Sequence, residues 1–314
     1  MTPPIRNAFV LGAGLGTRLK SLTAQLPKPL IPICNKPLIT FAFDHLIRCG
    51  VSKLVVNTHH CPEAYSRVFP EGEYAGQPVH FAHESDLLET AGGIKNVEPF
   101  LGGEPFVVYN GDILSDLPVD KAIRHHLESG NEVTLILRSG GGPLSISLDQ
   151  KTGRIADISR RLNSALPPEF LFTGIYVVSP RFFSRIPAHT KISVIPIFLE
   201  MIRSAEKLGG IVLDDGDWWD LGTREQYLAV HRHFAESGRT GAGLCRIHPT
   251  ASIAPSAKIS AATAIGANAI IGENASLVDC IVWENSEIAP GAQLKNCIVS
   301  ASRQVEGTHA DVDL

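Results

Sequence analysis

The chain has 314 residues, of which 44% are hydrophobic and 19% charged, and a formal net charge of −4 at pH 7. That balance belongs to a folded globular protein rather than a disordered one, and the length admits one large α/β domain plus a smaller unit. The slight acidity excludes an extended nucleic-acid surface or an anionic-membrane surface, so any anion site has to be assembled locally from a few residues.

From residue 7 to about 235, short apolar runs alternate with segments of helical period, which predicts a doubly wound α/β sheet. The predicted strands include 8–12 (AFVLG), 53–57 (KLVVN), 79–83 (VHFAH), 106–110 (FVVYN) and 132–137 (EVTLIL). Helices are expected between them, one entered near Pro37 and stopped at Gly50, another ending on Gly130. The apolar stretch from Ala8 to Leu15 is too short and too broken by glycine for a signal sequence or a membrane span, so a cytoplasmic location is expected, with no membrane partner. The six cysteines form no C-x-x-C pair, which argues against a structural zinc site and for free buried thiols.

A different periodicity begins at Ile247. Aliphatic residues recur every sixth position at Ile247, Ile253, Ile259, Ile265, Ile271 and Leu277, with small residues at Ala251, Ala257, Thr263, Ala269 and Ala275. A helix cannot set every sixth residue on one face, and a flat strand would repeat every second residue. Three six-residue sides per turn instead make a triangular parallel β-helix, expected here as about three coils over residues 247–300. The phase slips after Leu277, where DCIV (279–282) and NCIV (296–299) carry the pattern on through Ile288 and Leu294. Residues 236–244 read as a linker, and the polar tail beyond Ser300 is expected to fray. The implied division is a domain over 1–240, a β-helix over 245–303 and a tail over 304–314.

The stretch after the first predicted strand, LGAGLGTRLKSLTAQLPKPL (11–30), is a glycine-rich turn that fits neither common nucleotide motif. Thr17 stands where a dinucleotide fingerprint needs its third glycine, and no G-K-[ST] closes a Walker A loop. A glycine turn leaving the first strand of an α/β sheet nevertheless lets backbone N–H groups approach a phosphate, and Arg18 and Lys28 add positive charge. A plain strand-to-helix turn with two cations is the competing reading.

The same stretch resembles the signature G-x-G-T-R-x-x-P-x-T-x-x-x-P-K-P of the sugar-1-phosphate nucleotidyltransferases, through Gly14, Gly16, Thr17, Arg18, Thr23, Pro27, Lys28 and Pro29. It departs at Ser21, where that family carries proline. The resemblance implies a Rossmann-like, doubly wound mixed sheet. It also implies a triphosphate wrapped by Leu11, Gly12, Ala13, Gly14, Gly16 and Thr17, an arginine (Arg18) on the leaving pyrophosphate, and a lysine (Lys28) on the phosphates. The C-terminal repeats are similar to the short left-handed β-helix of mannose-1-phosphate guanylyltransferase-like members.

Further motifs extend the resemblance. YNGDIL (109–114) puts Asn110, Gly111 and Asp112 at the carboxyl end of a strand, where open α/β sheets bind ligands, although N-G-D is also a common turn. DWWDLGT (217–223) offers Asp220, with Asp217 as its rival. Family precedent implies that Asp112 and Asp220 hold Mg²⁺, whereas Asp220 as an N-cap is the alternative. HESDLLETAGGI (83–94) is similar to the base-reading segment, with Glu84 as the acceptor and Gly92 and Gly93 as flat backbone against the base. A carboxylate complements the donors of guanine, which leans towards GTP. FTGIYVVSP (172–180) resembles the sugar-lining strand, with Phe172 in place of asparagine, Thr173 as a substitute hydroxyl and Gly174 against the ring. The family's E-K-P lysine is missing, and GRIADISRR (153–161) puts Arg161, or Arg160, at its place. His59 and His60 are adjacent on an extended segment and point to opposite faces, so shared metal ligation is not expected, while one of them lines the nucleotide cleft in this reading.

The expected reaction is transfer of a nucleoside monophosphate from an NTP to a sugar 1-phosphate, with Mg²⁺ as cofactor. A UTP-dependent uridylyltransferase, a non-catalytic nucleotide-sugar regulator and a bifunctional acyltransferase using His248 are the alternatives. The expected partners are small molecules and a second copy of the chain through the β-helix.

Overall fold

The computed structural model describes residues 5–14, 16–24, 26–238, 241 and 243–314, the side chains of Thr17, Lys20 and Ser21 excepted. In chain order the elements are β1 (Asn7–Leu11), β2 (Pro32–Ile33), β3 (Lys36–Pro37), α1 (Leu38–Arg48), β4 (Lys53–Thr58), α2 (Pro62–Val68), β5 (Glu73–Tyr74) and β6 (Gln77–His83). There follow α3 (Glu89–Asn96), α4 (Glu98–Leu101), β7 (Phe106–Asn110), β8 (Ile113–Ser115), α5 (Val119–Ser129), β9 (Val133–Arg138), β10 (Ile146–Asp149) and β11 (Arg154–Ile158). Then come β12 (Leu171–Val178), α6 (Val194–Arg203), β13 (Leu208–Val212), β14 (Trp218–Asp220) and α7 (Arg224–Ser237), before the short strands of the C-terminal region.

By its internal contacts the chain divides into two compact units that are not successive in sequence. One takes β1 and residues 39–220, and the other joins residues 16–38 to residues 221–314.

The first unit is built on a ten-stranded mixed sheet in the order β10-β11-β13-β9-β12-β7-β1-β4-β6-β5. β1 lies between two parallel neighbours, with Leu11 opposite Asn57 of β4 and Asn110 of β7, so the carboxyl ends of three strands are level. Strands covered on both faces read as unbroken apolar runs, and Ala8, Phe9 and Val10 are fully buried. β12 turns the sheet antiparallel against β7 and β9. The helices cover it by ordinary amphipathic spacing: α1 buries Leu38, Ile39, Ala42, Phe43 and Leu46, and α5 ends on Gly130 at φ +60° as expected. The core gathers Phe9, Phe106, Val108, Tyr176, Phe182 and Phe198.

In the second unit the C-terminal region is a parallel β-helix of three sheets, two with four strands and one with three. The hexad positions Ile265, Ile271, Leu277, Ile288 and Leu294 point inward and are buried. Stacked residues are 18 apart at the start (Ser252 over Ile270) and 17 apart later (Ile281 over Ile298), which is the phase slip read from the sequence. The tail is a correction. Residues 304–305 pair with 287–288, residues 308–310 pair with 293–295, and Leu314 donates its N–H to Ile298, so the coil runs to the last residue. α7 opens on a capping box between Thr223 and Gln226 and ends on Gly238 at φ +62°. Of the six thiols, Cys34, Cys280 and Cys297 are buried, and Cys49, Cys61 and Cys245 are half-buried.

Three histidines are buried as neutral rings. His45 lies between Tyr109 Oη and Leu117 O, His126 between Thr134 Oγ1 and Ser179 Oγ, and His231 between Cys34 N and Tyr227 O. Burial pushes each ring down to about 4. A base with a depressed folded pKa takes up protons on unfolding, so its contribution is complete above the unfolded value near 6.5 and is lost as pH falls towards 4. Urea unfolding is expected to give a stability about 2 kcal/mol lower per buried histidine at pH 5 than at pH 7. Equal midpoints at the two pH values would contradict this. A second expectation concerns Tyr176, whose hydroxyl is buried with no hydrogen-bond partner among the described residues. Tyr176→Phe should leave the protein as stable or more stable by about 1 kcal/mol in the same measurement, because no bond is lost and one desolvated hydroxyl is removed.

Candidate active site

In the first unit the site grows from the end of β1. The N–H of Gly12 donates to Asn57 Oδ1 (2.8 Å) at the end of β4, and the Gly12 carbonyl accepts from Tyr65 Oη (2.9 Å) on α2. Asn57 Nδ2 in turn donates to Glu84 Oε1 (2.7 Å), and Glu84 Oε2 accepts the Leu88 N–H (3.0 Å) ahead of α3. A Cβ on Gly12 would lie 2.7 Å from the Asn57 carbonyl, and one on Gly93 would lie 2.9 Å from Asn57 Nδ2. Both glycines are therefore required by close approach to one residue, Gly12 to the Asn57 carbonyl and Gly93 to its side chain, and the sequence reading missed Asn57. Its signal was its place as the polar residue that follows the apolar run of β4.

Several expected contacts take a different form. Glu84 is 2% exposed, and its two oxygens brace Asn57 and Leu88. Gly92 and Gly93 do not offer open backbone: a Cβ on Gly92 would meet the Thr190 carbonyl at 2.4 Å, and Gly93 is occupied as above. Thr173 is fully buried and donates its hydroxyl to Ile136 O (2.8 Å), while its carbonyl accepts from Trp218 Nε1 (2.9 Å), so it has no hydroxyl left to donate to a sugar. Gly174, at φ +76°, is approached by the Asn110 side chain, which lies 2.5 Å from where a Cβ would be. Phe172 packs against the core beside Tyr176. His59 Nδ1 bonds the Glu84 carbonyl (2.8 Å), and His60 contacts the Cys61 thiol.

The two aspartates from distant motifs are neighbours. β8 pairs antiparallel with β14, and the register sets Asp220 opposite Ile113, one residue from Asp112. Gly111 donates its N–H to the Leu11 carbonyl, which ties this ribbon to the end of β1. Asp217 pairs instead with Asp116 at the other end of the ribbon, donating its N–H to Asp116 Oδ1 and accepting from the Asp116 N–H. The N-cap of α7 is Thr223, so capping does not account for Asp220. No cluster of three or more metal-binding side chains occurs among the described residues. Two half-buried carboxylates suit a cation that completes its shell with water and phosphate oxygens, which is the habit of Mg²⁺.

Arg161 is exposed on a turn closed by Asp157. The Asp157 carboxylate accepts the N–H groups of Ile158, Leu162 and Ser164. Burial would raise that carboxyl, but the backbone donors outweigh it and hold it below the usual range.

The second unit carries the cations of the signature. Gly16, at φ +61°, accepts from Thr23 Oγ1 and the Leu19 N–H, and a Cβ there would meet Lys28 Cβ and Thr23 Cγ2 at 3.1 Å. Lys28 is 5% exposed, whereas Arg18 is exposed and its guanidinium lies 2.5 Å from where a Cβ on Gly222 would be. The side chain of Thr17 is outside the described residues.

Residues 7–237 match the nucleotidyl transferase family, and residues 242–312 match the GMPPB C-terminal domain. A mannose-1-phosphate guanylyltransferase catalytic subunit beta of Danio rerio is 30% identical, with 95% of this chain and 87% of that one aligned. A mannose-1-phosphate guanyltransferase of Hypocrea jecorina is 31% identical over 93% and 85%. A UTP–glucose-1-phosphate uridylyltransferase of Synechocystis is 28% identical over 72% and 62%. The solved structure of HddC from Yersinia pseudotuberculosis complexed with GMP-PN covers 73% of this chain and 99% of its own, with a TM-score of 0.61 at 22% identity, a likeness of fold. No helix among the described residues is long and apolar enough to cross a membrane. With residues 7–237 matched and relatives at 30% and 31% identity aligned over 95% and 93% of it, the chain belongs to the nucleotidyl transferase family.

Proposed function

We propose that the protein transfers a nucleoside monophosphate from a nucleoside triphosphate to a sugar 1-phosphate and releases pyrophosphate, with GTP and mannose 1-phosphate or a related sugar as substrates. At the level of residues, the β8–β14 pairing that makes neighbours of Asp112 and Asp220 carries this reading. The preference for GTP follows the names of the relatives aligned over most of the chain. Glu84 contributes to it only through the partners it braces. The Synechocystis relative favours UTP and glucose 1-phosphate as a second reading.

In the proposed reaction an anionic oxygen of the sugar phosphate attacks the α-phosphorus while the bond to the pyrophosphate oxygen breaks. That nucleophile is already charged, so no general base is needed and the work is positioning and charge stabilisation. Asp112 and Asp220 would hold Mg²⁺, which neutralises phosphate charge when bound. Arg18 stabilises the charge growing on the leaving pyrophosphate, and Lys28 holds the phosphates. Ala13, Gly14, Gly16 and Thr17 line the triphosphate with backbone, while Gly12 keeps the turn in shape because its N–H is given to Asn57. Leu11, Asn110 and Gly111 frame the nucleotide at the strand ends, and Arg161 takes the sugar phosphate.

A pyrophosphate-release assay over several NTPs and sugar 1-phosphates is expected to single out one pair, and absence of turnover with every pair would sink the proposal. Lys28→Ala and Asp112→Ala should each lower the rate by about 10²–10³ while the protein stays folded. Gly222→Ala tests Arg18 without altering it. The added methyl collides with the movable end of a side chain, so kcat should fall about tenfold or more with an unchanged melting temperature. Wild-type kcat in a folded Gly222→Ala variant would remove Arg18 from the reaction.

A further inference from the structure

The chain that leaves Lys28 runs directly into a small hairpin. β2 and β3 pair through Pro32 with Pro37 and Ile33 with Lys36, and the two residues between them, Cys34 and Asn35, stand at φ +47° and +66°. Two left-handed residues in succession make a type I′ turn. A hairpin with two residues in each strand cannot hold itself together in water, so its conformation has to be imposed from outside.

That outside support comes from the β-helix and α7. Asn35 Nδ2 donates to two carbonyls, Cys245 O and Ile265 O, each at 2.8 Å. The Cys245 N–H returns a bond to the Cys34 carbonyl (3.0 Å), and the Cys34 N–H donates to His231 Nε2 (3.1 Å). Because Nε2 accepts, the His231 proton sits on Nδ1 and is donated to Tyr227 O (2.9 Å). One turn earlier on α7, Tyr227 Oη donates to the Pro32 carbonyl (2.6 Å) and accepts from Trp283 Nε1 of the β-helix (3.1 Å). A cavity of about 340 Å³ opens beside Cys34 between His231 and Arg246, so hydrogen bonds rather than packing secure that side of the tip.

The hairpin is coupled to Lys28 through a short, stiff path. Leu38 N–H closes on Ile31 O, Ile31 N–H closes on Lys28 O, and Leu30 N–H closes on Pro27 O. Pro27, Pro29 and Pro32 fix φ at every second or third residue along this path, so it has few internal degrees of freedom.

We propose that Asn35, with Tyr227 and Trp283, is a positioning residue for Lys28. The C-terminal β-helix is thereby a working part of the phosphate site rather than an appended module. The proposal rests on the reading of Lys28 as a phosphate-binding residue. It places Asn35 in a role that acts through Lys28 and not on the substrate.

Asn35→Gly in the full-length protein is the test, because glycine accepts φ +66° and only the amide donor is removed. In pyrophosphate release, kcat is expected to fall about tenfold with the melting temperature held within a few degrees. In a Lys28→Ala background the same substitution should cost nothing further. Wild-type kcat in folded Asn35→Gly, or a loss that multiplies with that of Lys28→Ala, would overturn the proposal. Hydrogen exchange supplies a readout independent of turnover: the amides of Leu30 and Ile31 should exchange faster in Asn35→Gly, and unchanged protection there would overturn it as well. A wild-type protein that turns over no substrate would refute the proposed reaction instead, leaving the exchange measurement to decide the mechanical link.

Discussion

A chain that leaves the middle of a ten-stranded sheet carries backbone polar groups out of the ladder, and where they stay buried, as at Gly12, each must find a partner. At the end of β1 that requirement is met by one connected set of bonds. Gly12 gives its N–H to Asn57 and receives the hydroxyl of Tyr65, while Glu84 holds Asn57 and the Leu88 N–H. The direction in which the glycine turn departs, the end of β4 and the entry to α3 are therefore fixed together. A buried carboxylate is tolerable here because both of its oxygens accept hydrogen bonds, and any broken link leaves a desolvated group behind.

The ribbon of β8 and β14 solves a second problem from the same strand end. It brings together two aspartates more than a hundred positions apart in the chain by backbone pairing alone. Their spacing is thus set by sheet register, which tolerates little error, rather than by flexible side chains. Tethering Gly111 to Leu11 puts that register under the control of the same central strand.

Much of this was legible in the sequence because it depends on local periodicity. The alternation of apolar runs gave the central strands and the six-residue recurrence gave the β-helix and its slip to a shorter coil, whereas Asp112 and Asp220 were singled out only by the family resemblance of their motifs. What could not be read was the identity of the atom that fills a space. Gly92 and Gly93 read as flat backbone and Gly174 as a place of close approach, but a sequence does not say that Thr190, Asn57 and Asn110 are the protein groups that crowd them. Thr173 failed for a related reason: a strand pattern tells which face is buried only when both neighbours are known, and its hydroxyl belongs to β9 through Ile136. The last coil escaped notice because residues 308–310 carry no large aliphatic residue, and their order comes from backbone pairing with 293–295. The contact of Asn35 with Cys245 and Ile265 leaves no periodic trace at all, since one amide on a turn looks like any other.

The discontinuous make-up of the second unit bears on how the chain is born. Synthesis delivers residues 16–38 long before their companions, residues 221–314. The ten-stranded sheet can assemble as its strands leave the ribosome, but the loop with Arg18 and Lys28 must be carried along unfinished until the coils of the β-helix arrive to receive it. A nascent chain that has not yet reached residue 221 therefore lacks the scaffold for its own signature segment, and maturation of that segment waits on residues far downstream.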